Sequence, residues 1–116
     1  MATKREVERK LRELMKRLED SDSEVRGSLA GALPESRVVE VVLSDLGRSY
    51  WTELAGGAMG ALHEGVPPNP EIRVRVASDD LIDLVDGRRS LFSAYLAGKV
   101  KIDASFSDLL RLRKLA

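Results

Sequence analysis

Residues 71–104 read EIRVRVASDDLIDLVDGRRSLFSAYLAGKVKIDA, and the fold class turns on this stretch. From Glu71 to Ala77 the pattern alternates strictly: Ile72, Val74 and Val76 on one side, Arg73 and Arg75 on the other. Successive side chains of a strand point to opposite faces, so this is a half-buried strand with one wet face. The period then changes to that of a helix. Ser78 stands where an N-cap belongs, and Asp79 and Asp80 fill the first turn, beside the positive end of the helix dipole. Gly87 closes this helix. Ser90 opens a second short one over Leu91–Ala97, and Gly98 closes that. Val100 and Ile102 then alternate with Lys99 and Lys101 in a further strand, Val100 to Ser105. Strand, two glycine-stopped helices, strand: the class is α+β, a sheet with helices on one face.

Upstream, Arg37 begins a β-branched run (Val38, Val39, Val41, Val42, Leu43) that ends at the turn Asp45-Leu46-Gly47. Ser49 to Leu54, carrying Tyr50 and Trp51, is the next strand. Gly56-Gly57-Ala58-Met59-Gly60 reads as a tight connection, Ala61–Glu64 as a short strand, and Pro67-Pro68-Asn69-Pro70 as a loop. Hairpin-length connections predict antiparallel pairing among the first four of five strands. At the N-terminus, Thr3 and Glu6 have capping-box spacing. Val7, Leu11, Leu14, Met15 and Leu18 mark one helical face. Ser21 and Glu24 repeat the cap, and Val25, Leu29 and Leu33 predict a second short helix ended by Pro34. Downstream, Phe106 to Leu115 is helical, and Phe106, Leu109, Leu110, Leu112 and Leu115 cover more than half its circumference. That width exceeds what a simple surface helix needs. From periodicity alone, these side chains and those of Leu81, Ile82, Leu84, Val85, Leu91, Phe92, Tyr95 and Leu96 either fill the core or leave a cavity within it.

With 116 residues the chain makes one domain, 1–116, with 1–20 as an added amphipathic helix. Lys and Arg number 19, as do Asp and Glu, and this balance argues against a nucleic-acid partner. Absence of Cys removes disulfides, thiolate nucleophiles and Cys-built zinc sites, and suits a cytoplasmic protein. No stretch has the length of apolar sequence a membrane span requires.

Candidate catalytic groups are few. His63 and Glu64 are strand neighbours and point to opposite faces. Asp79, Asp80, Asp83 and Asp86 lack the alternating ligands, central Gly and terminal Glu of a calcium loop. Gly56, Gly57 and Gly60 open no helix and precede no Lys-Ser/Thr, so they do not make a phosphate loop. The reading is therefore non-enzymatic, with neither metal nor cofactor. Arg113 falls inside the apolar arc of the last helix, either with its charged head reaching solvent or as the partner of an acidic head group.

The run from Asp86 to Leu115, DGRRSLFSAYLAGKVKIDASFSDLLRLRKL, resembles the C-terminal half of the sterol carrier protein 2 family. Gly87-Arg88, Ala94-Tyr95 and Gly98-Lys99-Val100-Lys101-Ile102 follow its order. Trp51 in an aromatic strand, Pro70 before a strand and Ser78-Asp79-Asp80-Leu81 at a helix start extend the likeness to roughly Arg37–Leu115. It departs at Ala104-Ser105, at Asp108 where members often carry an apolar residue, and at Arg113 where many carry Gln. The resemblance, to a stand-alone bacterial-type member, implies a five-stranded, mainly antiparallel sheet with helices on one face enclosing a hydrophobic tunnel. It implies a lipid ligand: fatty acid, acyl-CoA, sterol or another hydrophobic small molecule. The tunnel would be lined by Trp51, Leu81, Leu84, Val85, Phe92, Tyr95, Leu96, Ile102, Phe106, Leu109, Leu110 and Arg113. Two alternatives remain at this stage. One is a regulatory domain with a collapsed tunnel, its first helix docked on a partner. The other is a small α+β isomerase using Asp103 or Glu53.

Overall fold

The computed structural model describes residues 1–20, 36–55 and 58–113. In chain order these form α1 (Lys4–Asp20), β1 (Arg37–Leu43), β2 (Arg48–Ala55), β3 (Ala58–Met59), β4 (His63–Glu64), β5 (Ile72–Val76), α2 (Ser78–Val85), α3 (Leu91–Leu96), β6 (Val100–Ala104) and α4 (Phe106–Arg113). The helix predicted after Ser21 and the Gly56-Gly57 pair lie outside the described residues.

The α+β class holds, with a mixed sheet in the order β3-β2-β1-β5-β6 and β4 on the same edge of β2 as β3. One predicted pairing is corrected. β1 and β5 run parallel, Val39 beside Ile72 and Leu43 beside Val76. Counting residues between strands could not reveal this. β4 leaves β2 at the level of Tyr50, yet Glu71 already donates to the Val38 carbonyl at the far end of β1. The loop 65–71, with Pro67, Pro68 and Pro70, therefore carries the chain back along β1 instead of folding into a hairpin. Extended chain spans up to about 3.5 Å per residue, enough for that return. The third strand predicted over Ala61–Glu64 is reduced to His63–Glu64, and Ala58–Met59 pairs where only a turn was expected.

The predicted alternation survives. Ile72 and Val76 are buried on the helix side with Val74 half-buried, and Arg75 and Lys101 are exposed on the other. Leu43, Val76 and Val100 lie in register across β1, β5 and β6, all buried. Val7 and Leu11 of α1, Leu81 and Val85 of α2 and Ala94 of α3 pack on them. Glu40 departs from the expected wet face: it is 2% exposed, its carboxylate accepting from Arg73 Nε at 2.7 Å. Its cross-strand neighbours, Trp51 and Arg73, are large enough to shield it.

The caps show which local signals were decisive. Thr3 and Glu6 close a capping box at the start of α1, and Ser90 accepts from the Ser93 N–H at the start of α3. Gly87 and Gly98 both have φ of 74°, the left-handed geometry that ends α2 and α3 at no steric cost. Ser78 is corrected: Ala77 holds the N-cap position and Ser78 begins the helix. Its hydroxyl donates to Asp45 Oδ2 at 2.6 Å and accepts from the Ala2 N–H at 2.9 Å. Three segments distant in sequence meet at this one buried side chain.

Candidate functional site

The helix-covered face of the sheet carries two separate buried clusters. The larger lies under α1, α2 and α3; the smaller consists of Leu54 and Ile72, with Val39, Met59 and Ala104 against it. Val74 and Ile102 are half-buried and touch both. Val41, Val74 and Ile102 are in register across β1, β5 and β6, and Tyr50 of β2 continues the row. An apolar strip in the middle of a sheet face is thus less covered than the row Leu43–Val76–Val100 on one side, while on the other only Ile72 of the row Val39–Ile72–Ala104 is buried. Four strands at about 4.8 Å spacing make this strip roughly 14 Å long.

The elements around the strip are rich in unsheltered apolar groups. On α3 only Ala94 is buried, while Phe92 is 58% and Leu96 69% exposed, with Tyr95 and Leu91 exposed beside them. On α4, Phe106 is 76% exposed, Leu110 is exposed and Leu109 half-buried. Burying such side chains is worth about 25 cal/mol per Å², so leaving six in water is unusual for so small a domain. α4 is nevertheless anchored at its start. Asp108 is buried, its two oxygens accepting from Arg37 Nε at 2.9 Å and a terminal guanidinium nitrogen at 3.2 Å. Arg37 shares its face of β1 with Val39, Val41 and Leu43, which places α4 on the same side of the sheet as the other helices.

The expected site residues fall into three groups. Leu81 and Val85 are core, with Leu84 half-buried against it. Ile102 belongs to the strip, and Phe92, Tyr95, Leu96, Phe106, Leu109 and Leu110 are the exposed or half-buried apolar groups of α3 and α4. Trp51 is displaced from the set. It opposes Glu40 and stacks on His63 at 4.2 Å on the opposite face, because strand alternation sends Tyr50, Thr52 and Leu54 inward instead. The Arg113 side chain lies outside the described set. Val41, Val74, Tyr50 and Thr52 were not among the expected residues. Alternation marked Val74 as inward, but the faces of Val41, Tyr50 and Thr52, and which inward row stays uncovered, depend on where the helices sit.

The carboxylates are occupied. Asp79 pairs with the Met1 amino group at 2.9 Å, Asp80 with Lys99 at 3.8 Å, Asp83 with Arg88 at 3.2 Å, and Asp86 with Lys10 and Arg88. The Lys10 ammonium holds the Asp86 carboxyl below its usual range. Lys4, followed by Arg48, does the same for Glu64. Among the described residues no group of three His, Cys, Asp or Glu side chains could hold a metal ion. Glu53 and Asp103, the carboxylates an isomerase would need, are exposed on the face away from the strip. No described helix is long and apolar enough to cross a membrane.

A mixed sheet with helices on one face and an undercovered apolar strip between them define a small α+β domain. The chain belongs to the SCP-2 sterol transfer family, whose model matches residues 7–116. That match takes in most of α1, where the resemblance read from sequence begins only at Arg37. The fold is similar to sterol carrier protein-2 like-3 from Aedes aegypti, with TM-score 0.62 and 17% identity over 97% of this chain and 96% of that one. It is also similar to palmitated SCP2L2 from the same organism, with TM-score 0.62 and 14% identity over 94% and 92%. The sec-alkylsulfatase Pisa1 from Pseudomonas sp. contains a similar domain, at TM-score 0.56 and 20% identity; the match covers 72% of this chain and 13% of the sulfatase. No curated protein matches the chain significantly in sequence.

Proposed function

We propose that this chain binds and carries a hydrophobic small molecule, a lipid, along the strip Val41–Val74–Ile102. The observation that carries this reading is the half-buried row Val41–Val74–Ile102, whose Val74 and Ile102 touch both apolar clusters, together with the six exposed apolar side chains of α3 and α4. The exposed side chains of α3 and α4 would close over the ligand, exchanging contact with water for contact with its chain. Each methylene so buried contributes about 0.8 kcal/mol before the costs of association. Family membership supports the reading, as does a relative of the same fold solved in palmitated form. Action as a stand-alone domain in the cytoplasm belongs to the same proposal. The rival reading, in which α1 docks on a partner, is disfavoured because Val7 and Leu11 are already buried in this chain's own core.

Native mass spectrometry of the purified protein tests the proposal, together with titration of a fluorescent long-chain lipid. The expected result is one saturable site per chain, displaced by unlabelled lipid. No saturable binding across fatty acids, acyl-CoA, sterols and neutral long-chain lipids would reject it.

A further inference from the structure

Tyr50 and Thr52 stand two residues apart on the helix-covered face of β2, 2% and 7% exposed. Among the described residues neither hydroxyl has a hydrogen-bond partner of ordinary geometry. Buried polar groups are normally satisfied, so two unpaired hydroxyls on one strand face need a reason. Their position supplies one. Tyr50 stands at one end of the apolar row Val41–Val74–Ile102, with the ion-paired Glu64 of β4 beyond it, and Thr52 stands at the same end of the next row, Val39–Ile72–Ala104. Between β1 and β6 both rows are wholly apolar. The strip thus has an apolar length and a hydroxyl-bearing end, matching a molecule with a long hydrocarbon part and one polar terminus.

We propose that Tyr50 and Thr52 form a polar subsite that donates hydrogen bonds to the oxygen of an uncharged head group: an ester, ketone or alcohol. This rests on the carrier reading and names the class of lipid carried. The charges nearby select against an acid. Burial, then Glu8 and Glu64, push the Tyr50 phenol up to about 12, with Arg48 acting weakly the other way. The phenol therefore remains a donor across the neutral range. Glu8 approaches the phenol closely enough to act on it both as a charge and as a weak acceptor, but outside ordinary hydrogen-bond geometry. A ligand carboxylate at this end would lose its hydration and face Glu8, beside a Glu64 whose charge is already matched by Lys4 and Arg48. A neutral oxygen accepts from either hydroxyl without these penalties.

The test compares hexadecane, hexadecanol, methyl hexadecanoate and hexadecanoate as competitors for a bound fluorescent hydrocarbon probe. The proteins are wild type, Tyr50→Phe and Thr52→Val, which remove each hydroxyl at nearly constant shape. Wild type is expected to bind the alcohol and ester roughly ten-fold more tightly than hexadecane or the acid. Each variant is expected to lose several-fold of that preference, read within one protein as the ratio of alcohol or ester affinity to hexadecane affinity. Alcohol and ester binding equal in wild type and both variants would overturn the subsite while leaving the carrier reading standing. So would preferred binding of the acid that persists in both variants, a result pointing to Arg113. If wild type binds none of the four nor the probe, both readings fall together. The melting temperatures of the ligand-free proteins give a second measure. With no hydrogen bond to lose, both variants should melt at or above wild type. A fall in Tm accompanied by weaker hexadecane binding would assign the hydroxyls to the fold itself and overturn the subsite.

Discussion

Ser78 shows how one side chain changes meaning between sequence and structure. Its place before Asp79-Asp80 reads as a helix cap, but its hydroxyl instead joins Ala2 to Asp45. Burial raises the Asp45 carboxyl, yet the hydrogen bonds from the Ser78 hydroxyl and N–H outweigh it and hold the group below its ordinary value. A carboxyl with a depressed folded pKa adds stability above its unfolded value and loses it as pH falls through the folded one. Ser78→Ala should therefore cost about 1–3 kcal/mol near neutral pH, and the deficit should narrow in acid as Asp45 protonates. Urea denaturation at several pH values and a carboxyl titration by NMR check both parts. Tyr50 behaves oppositely. Its folded pKa is raised to about 12. Its contribution is intact below the ordinary phenol value of 10.0 and is lost as pH rises through that of the folded protein. One tyrosine is expected to ionise late in an ultraviolet titration of native protein, and Tyr50→Phe should remove that late step. If both tyrosines ionise near the ordinary value while the fold is intact, the burial assigned to Tyr50 is wrong.

At the scale of elements, α1 and α4 look alike in sequence, as amphipathic terminal helices, but they differ in attachment. α1 inserts Val7 and Leu11 into the main core, and Arg17 donates to the Val85 carbonyl at the end of α2. Leu11→Ala is expected to destabilise the domain by about 3 kcal/mol with ligand affinity of the folded fraction changed no more than a few-fold. Loss of binding in a variant that remains folded would make α1 part of the site. α4 is held at its first turn by Asp108 and Arg37, while Phe106 and Leu110 stay exposed. Leu109→Asp should lower ligand affinity by at least ten-fold and leave most of the stability, because an element with few buried contacts opens at low cost. Val76→Asp, in the fully buried row, should unfold the domain. If Leu109→Asp unfolds it equally, α4 is core and the lid-like role is lost. The glycine stops and the capping box were legible because each depends on residues within one turn. The parallel pairing of β1 with β5 was not, because it depends on the direction in which loop 65–71 crosses the sheet.

Over the whole molecule, an undercovered strip and exposed aromatic groups mean that the ligand-free fold gives up burial it could have made. Binding should recover it. At a free ligand concentration of one hundred times Kd the linked stabilisation is about 2.7 kcal/mol, or roughly 10 °C in Tm for a domain of this size. Differential scanning calorimetry with a neutral long-chain lipid checks this, and binding calorimetry should show a negative heat-capacity change. A saturating lipid that leaves Tm unchanged would mean that binding does not favour the native state.

The sequence alone determined the class of fold, most element positions and the inward sets of β5 and β6, which follow from periodicity and short-range caps, and the order of its motifs carried the family resemblance. Only the tertiary structure decided which inward residues form the undercovered strip. Alternation put Trp51 and Tyr50 on opposite faces without saying which face the helices cover, and the Arg37–Asp108 and Asp45–Ser78 pairings fix that choice. Those contacts join residues 71 and 33 positions apart, and no local rule reaches so far. The row left half-open, and the two hydroxyls at its end, result from how rigid helices settle on a twisted sheet.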